Sequence, residues 1–241
     1  MKVVGIVQAR MGSSRLSGKV LEDLAGRSML SRVLSRLRNS QLIDSLVVAT
    51  TTLAKDEAIV EECQRSGVSS YRGDEHDVLA RYFMAAEFSE ADVVVRITSD
   101  CPLIDSEVTD TTIRAFLREQ PDYASNTLVR TYPRGLDTEV ISRDALARTW
   151  REARHPHERE HVTPYIIEHP TRFELLSVAG DQDYSAYRWT VDTPEDLAFV
   201  RAVYSRFPSE EMFSWQDVLK LLEREPALVE LNRAVMQKAV R

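Results

Sequence analysis

Three short valine-rich runs, at 2–7, 46–49 and 93–97, constrain this chain most, because each is followed by a segment of helical periodicity. Helical spacing of apolar residues recurs over 29–37, 56–65, 78–87 and 106–118, and a further short strand is predicted at 68–71. Ser28 is placed to cap the first helix, and Gly67 to end the second. Apolar strands alternating with helices bury both faces of a sheet. The expected fold class is therefore α/β, a doubly wound three-layer arrangement with a mostly parallel sheet, with ligands outside the carboxyl ends of the strands.

Beyond residue 120 the rhythm changes. Strands are predicted at 123–130, 138–141, 173–178 and 189–191, and helices at 144–153 and 162–168. Thr193 and Pro194 supply an N-cap and first helical position for a helix running to about 207. An amphipathic helical stretch interrupted at Pro226 follows over 215–240. We read 1–241 as one domain, with 121–188 inserted into the sheet for sugar binding or dimerisation and 208–241 as a helical tail.

Composition narrows the functional classes. A formal net charge of −7 argues against a nucleic-acid-binding surface, while 43% hydrophobic residues suffice for a large core. No apolar run reaches the ~18 residues needed to span a bilayer, and the first residues do not read as a leader, so a cytoplasmic protein without a membrane partner is expected. Cys63 and Cys101 fit neither a disulfide framework nor a thiolate zinc site.

Directly after the first strand, the stretch Gln8 to Lys19 gathers Arg10, Arg15 and Lys19 with Gly12, Gly18 and Ser13, Ser14 and Ser17. This is the composition of a polyphosphate-binding loop. Five residues separate the glycines and Val20 follows Lys19, which excludes a Walker A loop, and the dinucleotide fingerprint is absent. A solvated surface loop is the plainer alternative. Asp100 follows the strand at 93–97 and suits a magnesium site, against the alternative of a turn-forming aspartate. Arg134, Asp137 and Glu139 around a glycine are suited to clamping a small polar ligand, or else form an ordinary hairpin. His157 to His161 formally reads H-E-x-x-H, the mark of a zinc metalloprotease, but Pro156 and Pro164 bracket it too closely for a long helix.

The loop Gln8 to Lys19 resembles the signature of sugar nucleotidyltransferases. With Asp100-Cys101-Pro102-Leu103-Ile104, Arg134-Gly135-Leu136-Asp137-Thr138-Glu139, Arg159-Glu160-His161 and Trp189 to Asp196, nearly the whole chain is similar to the spore coat polysaccharide biosynthesis protein F family, related to the CMP-Kdo and CMP-sialic acid synthetases. The resemblance implies a Rossmann-like nucleotidyltransferase (GT-A-like) fold and transfer of CMP from CTP to an acidic sugar, in a homodimer. It further implies that Arg10, Arg15 and Lys19 bind the triphosphate, with Ala9, Gly12, Ser13 and Ser14 lining it, and that Gly73 and Asp77 meet the base or ribose. Asp100 and Asp192 would hold Mg²⁺, and Arg134, Asp137, Glu139, Arg159 and His161 the acceptor. Ser17 departs from the proline usual in these loops. Rival readings are a UTP- or dTTP-using enzyme, a nucleotide-sugar-dependent glycosyltransferase, disfavoured because Pro102 breaks an Asp-x-Asp pair, and a non-catalytic binding protein.

Overall fold

In β1, Val3–Gln8, alternate side chains enter opposite faces of the sheet: Val4 and Ile6 join one apolar cluster, Val3 and Val7 another. The same division runs through β2, Ser45–Thr51, and β4, Val93–Thr98, so both faces need cover. Helices supply it. α1, Met29–Leu37, α2, Glu57–Arg65, and α4, Ser106–Glu119, cover one face through Leu30, Leu34, Ile59, Ile113 and Phe116. α3, Val78–Phe88, α5, Arg143–Glu152, and α7, Pro164–Glu168, cover the other through Leu79, Tyr82, Leu146 and Ile166. The computed structural model describes residues 1–13, 15–207 and 212–237.

The seven-stranded sheet has the order β3-β2-β1-β4-β6-β5-β7, with β3 at Ser69–Gly73, β5 at Tyr123–Ser125, β6 at Glu139–Ser142 and β7 at Leu175–Ser177. β3, β2, β1 and β4 are parallel; β6 runs antiparallel to both neighbours, and β5 and β7 are parallel. The later strands thus extend the first half's sheet. From β1 the chain winds outward to β2 and β3, then returns to place β4 on the other side of β1. That reversal opens a crevice at the carboxyl ends of β1 and β4.

Three expectations are corrected. The strand predicted at 123–130 ends at Ser125, where the Asn126 carboxamide turns the chain by bonding the Leu136 carbonyl and Thr138 N–H. The helix predicted at 162–168 is preceded by a separate turn, α6, Pro156–His161, because Val162 at φ 75° breaks the helical path before Pro164 starts α7. Residues 189–191 form no strand; they run extended, the Trp189 N–H donating to the Arg134 carbonyl and the Val191 N–H to the Asp100 carbonyl.

The Thr193–Asp196 capping box starts α8, Pro194–Arg206, as its Thr-Pro signature requires. α9, Trp215–Arg224, and α10, Ala227–Glu230, pack with α8 in a third apolar cluster that also takes Leu103, Leu136 and Trp189. Among the described residues, no helix is long and apolar enough to cross a membrane.

Candidate active site

The loop after β1 doubles back on itself. The Met11 carbonyl accepts from the N–H groups of Ser13 and Gly18, both at 2.9 Å, and the Met11 N–H donates to Asp56 Oδ1 at 2.7 Å. Asp56 is fully buried and its other oxygen accepts from the Thr51 hydroxyl, so an aspartate on a neighbouring connection anchors the loop. Leu16 to Lys19 form a tight turn closed by the Lys19 N–H on the Leu16 carbonyl, with Gly18 at φ 72° and ψ 5°. Glycine is what this third turn position demands. A 3₁₀ turn, Lys19–Leu21, then drives the Lys19 side chain inward.

Lys19 is 7% exposed, and its ammonium donates to Asp100 Oδ2 at 2.8 Å, Asp192 Oδ1 at 2.9 Å and the Val191 carbonyl at 2.7 Å. Arg15 reaches Asp192 Oδ1 at 2.9 Å. Asp100 arrives from the end of β4 and Asp192 from the mouth of α8, so residues far apart in sequence meet on one cation. Burial disfavours the charge on Lys19, yet the two carboxylates overcome it and raise its pKa above 10.5. Burial likewise opposes ionisation of Asp100, but Lys19 and hydrogen bonds from Lys19 and Thr98 hold its carboxyl below 3.8. Lys19 and Asp100 thus hold each other in the charged form.

These groups open onto a cleft of about 280 Å³ lined by Ala9, Arg10, Ser13, Arg15, Lys19, Asp100, His161 and Asp192, eight of the sixteen residues singled out in the sequence. Burial lowers the His161 pKa below 6.5 despite Glu160, and Arg96, His157 and Arg10 add to the shift, so its imidazole is neutral at pH 7. No carboxylate among the described residues pairs with Arg10. Arg81, which composition gave no reason to notice, also lines the cleft; it is 2% exposed, bonds the Asp74 carbonyl, and leaves Nε without a partner among the described residues. Its signal in the sequence is faint, a cation among apolar residues of a helix.

Other candidates stand aside from this cleft. Gly73 ends β3 under the Arg81 stem, where a Cβ would come within 3.2 Å of Arg81 Cγ. Gly12 lies against the Lys55–Glu75 pair. Asp77 caps α3 through the Ala80 N–H and pairs with Arg159 at 2.5 Å, and both line a neighbouring hollow of about 520 Å³ that shares Arg10. Ser14 lies outside the described residues. Asp137 forms a two-pronged pair with Arg130, at 2.6 and 2.8 Å, while Arg134 is half-buried beside Arg130 and Arg188 and has no carboxylate partner among the described residues. Glu139, which the resemblance assigned to the acceptor, has a buried carboxylate that takes Arg96, the Tyr123 hydroxyl at 2.6 Å and the Thr163 hydroxyl at 2.8 Å. Opposite Arg96 in the β4–β6 ladder, it neutralises a buried cation.

The zinc reading of the H-E-x-x-H run fails on geometry. Glu158 is buried and accepts the N–H groups of Arg154 and His155, capping α6. His157 pairs with Glu168 at 3.2 Å, and His161 is not among the three residues, His157, Glu158 and Glu168, whose ligand atoms gather. The two imidazoles serve different surroundings.

Comparison with known proteins agrees with this geometry. A cytidylyltransferase family model matches residues 4–237. The chain is 37% identical to the uncharacterized protein MJ1063 of Methanocaldococcus jannaschii, covering 100% of this chain and 98% of that protein. It is 33% identical to the spore coat polysaccharide biosynthesis protein SpsF of Bacillus subtilis, covering 93% and 95%. A solved cytidylyltransferase of Leptospira borgpetersenii superposes with a TM-score of 0.93 at 35% identity, over 98% of this chain and all of that one. A CMP:2-keto-3-deoxy-manno-octonic acid synthetase complexed with CTP shares the fold, with a TM-score of 0.68 at 20% identity over 86% of this chain and 100% of that one. The chain belongs to the cytidylyltransferase family, and is a nucleotidyltransferase with a Rossmann-like fold.

Proposed function

We propose that the protein transfers CMP from CTP to a hydroxyl of an acidic sugar, releasing pyrophosphate, in the synthesis of a surface polysaccharide. The observation that carries this reading is the convergence of Lys19, Arg15, Asp100 and Asp192 at the cleft beside Arg10. A sugar hydroxyl attacks the α-phosphorus and pyrophosphate leaves, so the protein's task is to align the reactants and to offset charge. Arg10, without a carboxylate partner among the described residues, is placed to take phosphate oxygens in the two-pronged manner of guanidinium. Lys19, a buried point charge, sits where charge develops between the α-phosphate and its leaving group.

Mg²⁺ is part of the proposal. Asp100 and Asp192 are hard oxygen donors already facing one shared cation, the Lys19 ammonium, and that donor set fits a divalent ion completed by phosphates and water. Bound there, Mg²⁺ would neutralise phosphate charge and lower the pKa of the acceptor hydroxyl. An acidic acceptor is supported by Arg134, a half-buried cation lacking a carboxylate partner among the described residues. Partial relatives point the same way: a 3-deoxy-manno-octulosonate cytidylyltransferase of Arabidopsis thaliana is 37% identical over 53% of this chain and 44% of that protein. Assembly as a homodimer belongs to the same reading, with exposed Met84 and Phe88 on α3 as apolar surface for it.

Pyrophosphate release, measured with each common nucleoside triphosphate, Mg²⁺ and a panel of acidic and neutral sugars, tests the proposal. Release is expected with CTP and a sugar acid. Activity with UTP but not CTP would overturn the base, and turnover of a finished sugar nucleotide would favour a glycosyltransferase.

A further inference from the structure

Asp192 is held from two sides. Its Oδ1 faces the cleft and takes Lys19 and Arg15, whereas Oδ2 accepts from Arg188 Nη2 at 2.8 Å. Arg188 in turn donates through Nε and Nη2 to the two oxygens of Asp196, at 2.9 and 3.0 Å. Asp196 is fully buried and also accepts the backbone N–H of Asp192 at 3.0 Å and of Thr193 at 3.2 Å. Both the carboxylate and the backbone of Asp192 are therefore fixed to one Arg188–Asp196 pair.

That pair is clasped by residues beyond α10. Asn232 Nδ2 donates to the Arg188 carbonyl at 2.8 Å and to Asp196 Oδ1 at 3.0 Å, and Arg188 Nη1 donates to Gln237 Oε1 at 2.5 Å. Asn232 is 5% exposed, so its bond to Asp196 is made away from competing water, whereas the Gln237 bond lies at the surface. Capping α8 needs only the Thr193–Asp196 exchange. The additional guanidinium and carboxamide constrain something else, the rotation of the Asp192 carboxylate, leaving one oxygen turned to the cleft.

We propose that Arg188 is a positioning residue for Asp192 and that the C-terminal segment, through Asn232 and Gln237, sets how well the nucleotidyl-transfer site holds its divalent ion. The inference rests on the reading of Asp192 as a metal ligand. Groups that orient a ligand are commonly worth ~10–100-fold in metal affinity.

The test is Mn²⁺ binding to the full chain in the presence of CTP and without acceptor, followed by electron paramagnetic resonance of the free ion. Asn232→Ala is expected to weaken Mn²⁺ binding by about 10-fold. Gln237→Ala should shift it in the same direction, as should Arg188→Lys, which keeps the charge but loses the planar fork. A lower melting temperature with unchanged Mn²⁺ affinity in these variants would overturn the proposal and reduce the network to scaffolding. If Asn232→Ala does not melt cooperatively, Gln237→Ala, at an exposed position, decides by the same criterion. Asp192→Asn separates the two levels: unchanged affinity there removes the metal site and this inference with it. Weakened affinity in Asp192→Asn alone removes only the inference.

Discussion

At the scale of single residues, the central fact is one buried ammonium shared by two carboxylates. Neither Lys19 nor Asp100 would keep its charge at that depth unaided, since burial is the largest influence on each and opposes ionisation. Asp100→Asn preserves shape and removes the charge, so kcat is expected to fall by about 10²–10³, the scale of losing one electrostatic contact to the transition state. Unchanged turnover at low Mg²⁺ would remove Asp100 from the chemistry. The same variant makes a pH prediction. Because the folded pKa of Asp100 lies below 3.8, its ionised form contributes stability in full above that value and loses it as pH falls through the folded pKa. The stability difference between wild type and Asp100→Asn, followed by chemical denaturation, should hold from neutral pH down to about 4 and shrink below it. The free thiols take no part: burial pushes Cys63 up to about 12 and raises Cys101 well above 9.0.

Elements deliver these residues by ordinary local rules. β1 ends in a loop whose turn at Leu16 to Lys19 has Gly18 with positive φ at its third position, while Ser17 at the second has negative φ. This is a type II turn, and proline is favoured at its second position. Ser17, the loop's off-pattern residue, is thus a site where proline should fit. Ser17→Pro is expected to stabilise the protein by about 0.4–1 kcal/mol through the unfolded chain, raising Tm by roughly 1–4 °C. Destabilisation would mean that the Ser17 N–H or φ is needed as it stands. Asp56 shows what local rules leave hidden. Read along the chain it opens a helix, and only folding shows it anchoring the loop from the connection after β2.

For the whole molecule, the decisive contact joins the 121–188 segment to the extended run before α8. Gly135, at φ 113°, lies so close to that run that a Cβ would meet Thr190 N and Trp189 C at 2.7 Å. The Arg134–Trp189 backbone bonding and the Val191–Asp100 bond continue the contact to both metal-candidate carboxylates. Gly135→Ala combines a left-handed conformation with a backbone clash, and is expected to cost about 1–3 kcal/mol or more. The expected outcome in thermal melting is a Tm lowered by several degrees, with kcat falling alongside because Asp192 loses its register. A large loss of Tm with full kcat would show that the 121–188 segment supports the fold alone.

The sequence determined the alternation of strands and helices, the gathering of three cations and two glycines in residues 8–19, and the capping of α1 and α8, because these depend on periodicity and on side chains acting within a few residues. It also marked Asp100 and Asp192 by their places after apolar runs. Tertiary structure decided which charges meet. Glu139 reads in sequence like any carboxylate near a glycine, but the antiparallel register of β6 on β4 sets it opposite Arg96 and takes it from the cleft. Arg81, Asp56, Arg188 and Asn232 acquire their roles only where distant segments close around the crevice. A charge's partner is fixed by a few ångströms of separation in space, and spacing along the chain carries that distance only within one element.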